Sequence, residues 1–240
     1  MKENGKKYSL KGNGFMRIIG HIKTDFRSKF GIPRQSGLVR EVVGKIIFEP
    51  EFRNVKAIKG LELFSHMWII WQFSENEDYE WQPTVRPPAL GGNKRVGVFA
   101  TRSPYRPNPI GISAVKIVKI SQYSSEGPVI YVQGPDLMDG TPIYDIKPYI
   151  PYADKIDDAV GGFSTPGDEN KLRVVIPEDI AGNISRKKKE ALVQILANDP
   201  RPAYHNDSKR IYKFSYADYV ISFKVSDSVA YVTSIEKEIY

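Results

Sequence analysis

Apolar positions alternate with polar ones, or run together, in six segments of the first two-thirds of the chain: Phe15–Ile22, Leu38–Phe48, His66–Phe73, Val96–Thr101, Ile112–Ile120 and Val129–Gln133. All are rich in Val, Ile, Phe and Tyr and predict strands. Gly- and Pro-bearing connections separate them, with one short helical pattern around Glu51–Ile58. Parallel strands need helical crossovers, and these connections offer none, so the pattern predicts an antiparallel barrel or sandwich. The run AVGGFSTPGDEN, Ala159–Asn170, is nearly devoid of apolar residues and reads as a linker. It divides the chain into a domain at 1–160 and a smaller one at 171–240. The second begins with an amphipathic helix, capped by Asn183 or Ser185 and closed by Pro200. Arg210–Tyr216, Tyr219–Val225 and Val229–Ile235 follow as a three-stranded meander, giving a small α+β module. The expected class is mainly β.

Composition narrows the function classes. The 240 residues contain no cysteine, which excludes disulfides, thiolate metal sites and a cysteine nucleophile. No stretch reaches the roughly 18 apolar residues of a membrane helix, and the basic N-terminus lacks the apolar core of a signal peptide, so a cytoplasmic protein is expected. The net charge of +7 suits a polyanionic partner.

Charge is unevenly placed. Pro83–Gly111 carries Arg86, Lys94, Arg95, Arg102 and Arg106 with no acid, on a frame of six prolines and four glycines. Such a frame folds stiff loops that lose little entropy on ordering around a ligand. Gly134–Asp154 instead gathers Asp136, Asp139 and Asp145 around an Asp-Gly-Thr-Pro turn. Turn formation accounts for Asp139. Holding a cation or accepting a proton would account for the other two, although Asp145 also sits two residues from Lys147, the spacing of an ordinary ion pair. The three histidines are scattered, so neither a zinc site nor a Ser-His-Asp triad is expected, and no metal is. No P-loop or GxGxxG pattern is present.

The blocks FGIPRQSGLV, GLELFSHMWI, PTVRPPALGGN, FATRSPYRPNPIG and DLMDGTPIYDIKPY resemble the signature blocks of the TsaA-like (TrmO) family of tRNA methyltransferases. The resemblance covers most of Phe15–Asp154, and NDPRPAY, Asn198–Tyr204, resembles the C-terminal module of bacterial members. It implies a small antiparallel β-barrel that uses S-adenosylmethionine to methylate N6 of N6-threonylcarbamoyladenosine at position 37 of tRNA, and a homodimer. Carried over by motif, the cofactor set is Arg34, Gln35, Ser36, Gly37, Leu38, Phe73, Ser74, Glu75, Arg102, Ile112, Gly134, Pro135 and Asp136. Ser36 and Pro135 depart from the residues common in the family.

Direct transfer from the sulfonium is the expected mechanism, with the protein aligning the acceptor nitrogen and excluding water. The N6 lone pair is delocalised in a urea-like group, so removing its proton would help. Asp139 or Asp145 is the expected base, with Lys147 and Tyr149 orienting it or the substrate. Arg86, Arg106 and Asn108 are expected to hold the threonyl carboxylate or a phosphate. Arg186-Lys187-Lys188-Lys189 reads first as a solvated helix turn and second as a phosphate contact. The competing reading of the whole chain is a non-enzymatic RNA- or nucleotide-binding barrel.

Overall fold

A computed structural model describes residues 16–76, 80–164, 171–182, 184–202 and 207–238. Strands β1 (Gly20–Lys23), β2 (Val43–Phe48), β3 (His66–Gln72), β6 (Ile110–Ser124), β7 (Gly127–Gln133) and β8 (Pro142–Pro148) close into a barrel in the order β1-β2-β7-β6-β3-β8. Every pairing in it is antiparallel. Period-two alternation fills the interior: Ile46 and Phe48 from β2, Met67, Ile69 and Trp71 from β3, Val115 from β6, Ile130 and Val132 from β7.

The predicted strands are present, with shifted limits. Of Phe15–Ile22, Phe15 lies outside the described residues and the strand starts at Gly20. Leu38–Phe48 becomes regular only at Val43. Val96–Thr101 is strand for two residues, β5 (Val96–Gly97), which pairs with β4 (Thr84–Val85); a 3-10 turn over Val98–Ala100 then ends it. Glu51–Ile58 forms two 3-10 turns, the second begun by Asn54, whose side chain accepts from the Lys56 N–H.

Helices α1 (Pro151–Asp154) and α2 (Glu178–Ala181) are single turns. The amphipathic helix is α3 (Arg186–Ala197), capped by Ser185, whose hydroxyl accepts from the Lys188 N–H. Asn183, the other candidate cap, lies outside the described residues, as do 165–170 of the linker and Tyr204. Arg186 pairs with Glu190 one turn on. The meander β10 (Tyr212–Tyr216), β11 (Tyr219–Ser226) and β12 (Val229–Lys237) gains a fourth strand, β9 (Arg173–Val175), which runs parallel to β12.

The C-terminal core is not built from C-terminal residues alone. Phe26, Val39 and Val42, from the long β1–β2 connection, are buried in it beside Leu192, Leu196, Phe214 and Phe223. Phe30 packs on Tyr212, Phe214 and Phe223. Backbone and side-chain bonds reinforce this: Ala217 N–H donates to the Asp25 carbonyl (2.8 Å), and the Arg40 N–H to Gln194 Oε1 (2.9 Å). Segment 26–42 is therefore clamped by the C-terminal sheet and helix, and the stretch at its centre reaches back to the barrel mouth.

Candidate active site

At that mouth lies a cleft of about 430 Å³, a size suited to a small-molecule ligand. Four sequence blocks converge on it. The β1–β2 connection contributes Arg34 and Gln35, the end of β3 leads into Phe73, Ser74 and Glu75, the Pro- and Gly-rich loop gives Arg102 and Arg106, and the cleft is completed by Ile112 on β6 and Asp136 after β7.

The loops are fixed by backbone bonds. Gly37 N–H donates to the Gly134 carbonyl (2.8 Å), and Gly134 N–H to that of Val42 (2.9 Å). Gly134 has φ +72°, and a Cβ there would lie 3.1 Å from the Gly37 Cα, so glycine is what lets the two loops touch. Phe73 N–H donates to the Pro109 carbonyl and Val98 N–H to that of Pro83, tying both ends of the Pro- and Gly-rich loop.

Opposite charges face each other across the cleft. Arg102 donates to Gln35 Oε1, which orients its guanidinium and leaves further N–H groups for a ligand. Asp136 Oδ1 accepts from the Ser113 hydroxyl (2.6 Å), and Ser113 Oγ in turn accepts from the Trp71 indole N–H (3.0 Å). Burial raises the Asp136 carboxyl above the ordinary carboxylate range; the Ser113 hydroxyl, its own N–H, the Arg102 charge and the Ser36 N–H oppose this.

Of the expected cofactor set, Ser36, Gly37, Leu38, Gly134 and Pro135 are not among the lining residues, Leu38 being about half exposed and Pro135 buried. Arg34 lines the cleft while its guanidinium donates to the Asp199 and Arg201 carbonyls (3.2 and 3.4 Å), so it anchors the loop to the C-terminal region. Arg106 lines the cleft too, bound to the Thr101 and Ser103 carbonyls, whereas Arg86 and Asn108 are exposed and outside it.

The four residues expected to carry catalysis are not in the cleft. Asp139 Oδ1 accepts from the Thr24 N–H (3.0 Å) and Oδ2 from Lys23 Nζ (3.4 Å), so its carboxylate closes the turn against β1. Asp145 pairs with Lys147 (2.8 Å) on the barrel's outer face and accepts from the Ile146 N–H. Tyr149 packs its ring on Trp68 and His66. Asp139→Ala is therefore expected to lose about 1–3 kcal/mol of stability, the cost of an unsatisfied N–H, while cofactor affinity stays within about threefold of wild type; thermal melting and calorimetry check the two halves.

Residues that the sequence reading did not single out complete the lining, among them Ile32, Gly111 and Met138 from within the motif blocks, and Lys29, Trp71 and Gln72 from outside them. Gln72 had one usable signal, a polar residue at the end of the apolar run MWIIW; it is buried, and Tyr144 Oη donates to its Oε1 (2.7 Å). No group of three metal-ligating side chains occurs among the described residues.

Residues 21–155 match the family model of the tRNA-methyltransferase O N-terminal domain, and 169–238 that of the TrmO C-terminal domain. The chain belongs to the TrmO family. It is 35% identical over 226 residues to a tRNA (adenine(37)-N6)-methyltransferase of Escherichia coli, covering 91% of this chain and 96% of that one. A relative of the same name from Eikenella corrodens is 40% identical over 174 residues, 72% of this chain and 97% of the other. The crystal structure of TrmO from Pseudomonas aeruginosa superposes with a TM-score of 0.73 at 30% identity, covering 93% of this chain and 99% of that one. The TrmO family membership and the closed barrel bear out both the resemblance and the fold class read from the sequence.

Proposed function

We propose that the chain is an S-adenosylmethionine-dependent tRNA methyltransferase that methylates N6 of adenine 37, the base carrying the threonylcarbamoyl group. The observation that carries this reading is the convergence of four separated stretches of the chain on one cleft with a guanidinium on one side and a partly buried carboxylate on the other. That donor set fits a ligand which is at once anionic, cationic and aromatic. A non-enzymatic barrel would have no use for it.

Arg102 suits the carboxylate of the methionine part, bidentately. Glu75, exposed at the rim, suits hydroxyl or ammonium donors. Phe73 and Ile112 offer an apolar wall to the adenine, and the Trp71 indole packs at a tilt against Phe73 with centroids 4.3 Å apart. Bound S-adenosylmethionine supplies a methyl group already activated on a sulfonium. The protein's part is to orient that group, exclude water and place the acceptor nitrogen. Arg106, with Arg86 and Asn108 of the same Pro- and Gly-rich segment, suits an anionic substituent or a phosphate of the anticodon loop.

Homodimer formation and a cytoplasmic setting belong to the same reading. Among the described residues no helix is long and apolar enough to cross a membrane. Phe99, 73% exposed on the cleft loop, is an apolar side chain that pairing would cover; a monomer in sedimentation at micromolar concentration would remove the dimer from the account. Arg102→Ala is expected to weaken S-adenosylmethionine binding roughly 10- to 100-fold, the worth of a charge-assisted hydrogen bond, with the fold intact. Unchanged affinity in calorimetry would contradict the assignment.

A further inference from the structure

Among the described residues two carboxylates line the cleft, Glu75 and Asp136, and the two differ in kind. Glu75 is exposed. Asp136 sits deeper, and its surroundings fix both its position and its direction. The indole N–H of Trp71 can only donate, so Ser113 Oγ must accept from it, and the single Ser113 proton is left for Asp136 Oδ1. Ser113 is 2% exposed and Trp71 8%, so no solvent competes for these bonds. The Ser36 N–H and the residue's own N–H favour the anion. A carboxylate has about four acceptor positions, and Ser113 takes one of them, which leaves acceptor capacity for the cleft.

We infer that Asp136 is the group that receives the N6 proton during methyl transfer, held in position by the Trp71–Ser113 pair. The inference rests on the proposed function and deepens it. In the balanced step the N6–carbon bond forms with the nitrogen's lone pair while the carbon–sulfur bond breaks, its electron pair remaining on sulfur. The N6 proton passes to the free Asp136 position. The carboxylate becomes a neutral acid as the sulfonium becomes a neutral thioether, so the two charges are annihilated together inside a poorly solvated site. Asp139 and Asp145, whose oxygens are committed to Thr24, Lys23, Lys147 and Ile146, have no comparable place.

Charged groups around the cleft are Arg102, which faces Asp136 from the Pro- and Gly-rich loop, and Lys29, Arg34, Glu75 and Arg106. Burial favours the neutral acid, and the Ser113 hydroxyl favours the anion. Ser113→Ala therefore moves the titration of Asp136 upward, and Ser113→Thr, which keeps the hydroxyl, brings it back. The raised titration also fixes the sign for folding: this group favours the folded state at low pH and loses that contribution as pH rises through its folded value. Asp136→Asn removes the penalty and still accepts from Ser113, so near neutral pH it melts no lower than wild type.

The test pairs binding with chemistry on the full chain. Asp136→Asn should slow the single-turnover rate at saturating cofactor and tRNA about 10²- to 10⁴-fold, the usual worth of a positioned base, a loss that raising the cofactor concentration does not recover. Carbon-13 carboxyl spectra of the free protein should show the resonance absent from Asp136→Asn titrating above the ordinary carboxylate range, higher in Ser113→Ala and restored in Ser113→Thr. A saturating rate within tenfold of wild type for Asp136→Asn, or a titration unmoved in Ser113→Ala, overturns the inference. A wild-type protein that binds no S-adenosylmethionine overturns the function and the inference together, whereas binding and transfer by wild type with a fast Asp136→Asn overturns the inference alone.

Discussion

Gly111→Ala is expected to raise the dissociation constant for S-adenosylmethionine at least tenfold and to lower the melting temperature by several degrees. Gly111 faces Trp71 across the β3–β6 pairing, and a Cβ built on it lies 2.3 Å from the indole Cε2 and 2.4 Å from Cζ2. Those atoms belong to a rigid, buried ring wedged against Phe73. Overpacking of this kind costs about 1–3 kcal/mol and forces the neighbour off its place. The neighbour here is the one that holds Ser113, so the displacement is transmitted to Asp136. Calorimetric titration and a thermal melt read both effects; wild-type affinity would show that the indole is free to yield.

Phe223→Ala should act from further away. Phe223 is fully buried in the C-terminal core and meets the rings of Phe30, Tyr212 and Phe214. Its truncation is expected to cost about 3–5 kcal/mol. Among the described residues none after 141 lines the cleft, yet Phe30 leads directly into Ile32, Pro33, Arg34 and Gln35, which do. Loosening that anchor should raise amide exchange across residues 29–37 and weaken cofactor binding, with exchange in β6 and β7 little changed. Hydrogen–deuterium exchange with calorimetry checks this, and unchanged protection at 29–37 would separate the C-terminal core from the cleft.

The strand pattern was legible because each barrel strand buries one face, and period two survives in sequences such as VGKIIF and HMWIIW. β8 was harder. It opens and closes on proline and carries Asp145 and Lys147 outward, so its alternation is weak. β9 is three residues long, too short for any periodicity, and its partner lies more than fifty residues away. The role of segment 26–42 in the C-terminal core was hidden for a related reason: burial of Phe26 or Val39 depends on contacts far along the chain.

The site divides in the same way. Arg34, Gln35, Phe73, Arg102, Ile112 and Asp136 were reachable through the family resemblance, and they do line one cleft. The choice among the aspartates was not reachable. Asp136 and Asp139 are three residues apart in a turn, and only the register of β1 shows that Asp139 caps Thr24 while Asp136 turns towards Ser113. Ser113 and Trp71 lie within strand patterns that signal only packing, so their hydrogen-bonded chain emerges once β3 and β6 are paired.

The central claim is methyl transfer to adenine 37. Purified protein incubated with threonylcarbamoylated tRNA and S-adenosylmethionine, followed by mass spectrometry of the position 37 nucleoside, tests it most directly. A mass gain of one methyl on the modified adenosine is expected, dependent on the cofactor and lost in Arg102→Ala at limiting cofactor. An unmodified nucleoside with wild-type protein at saturating cofactor would contradict it.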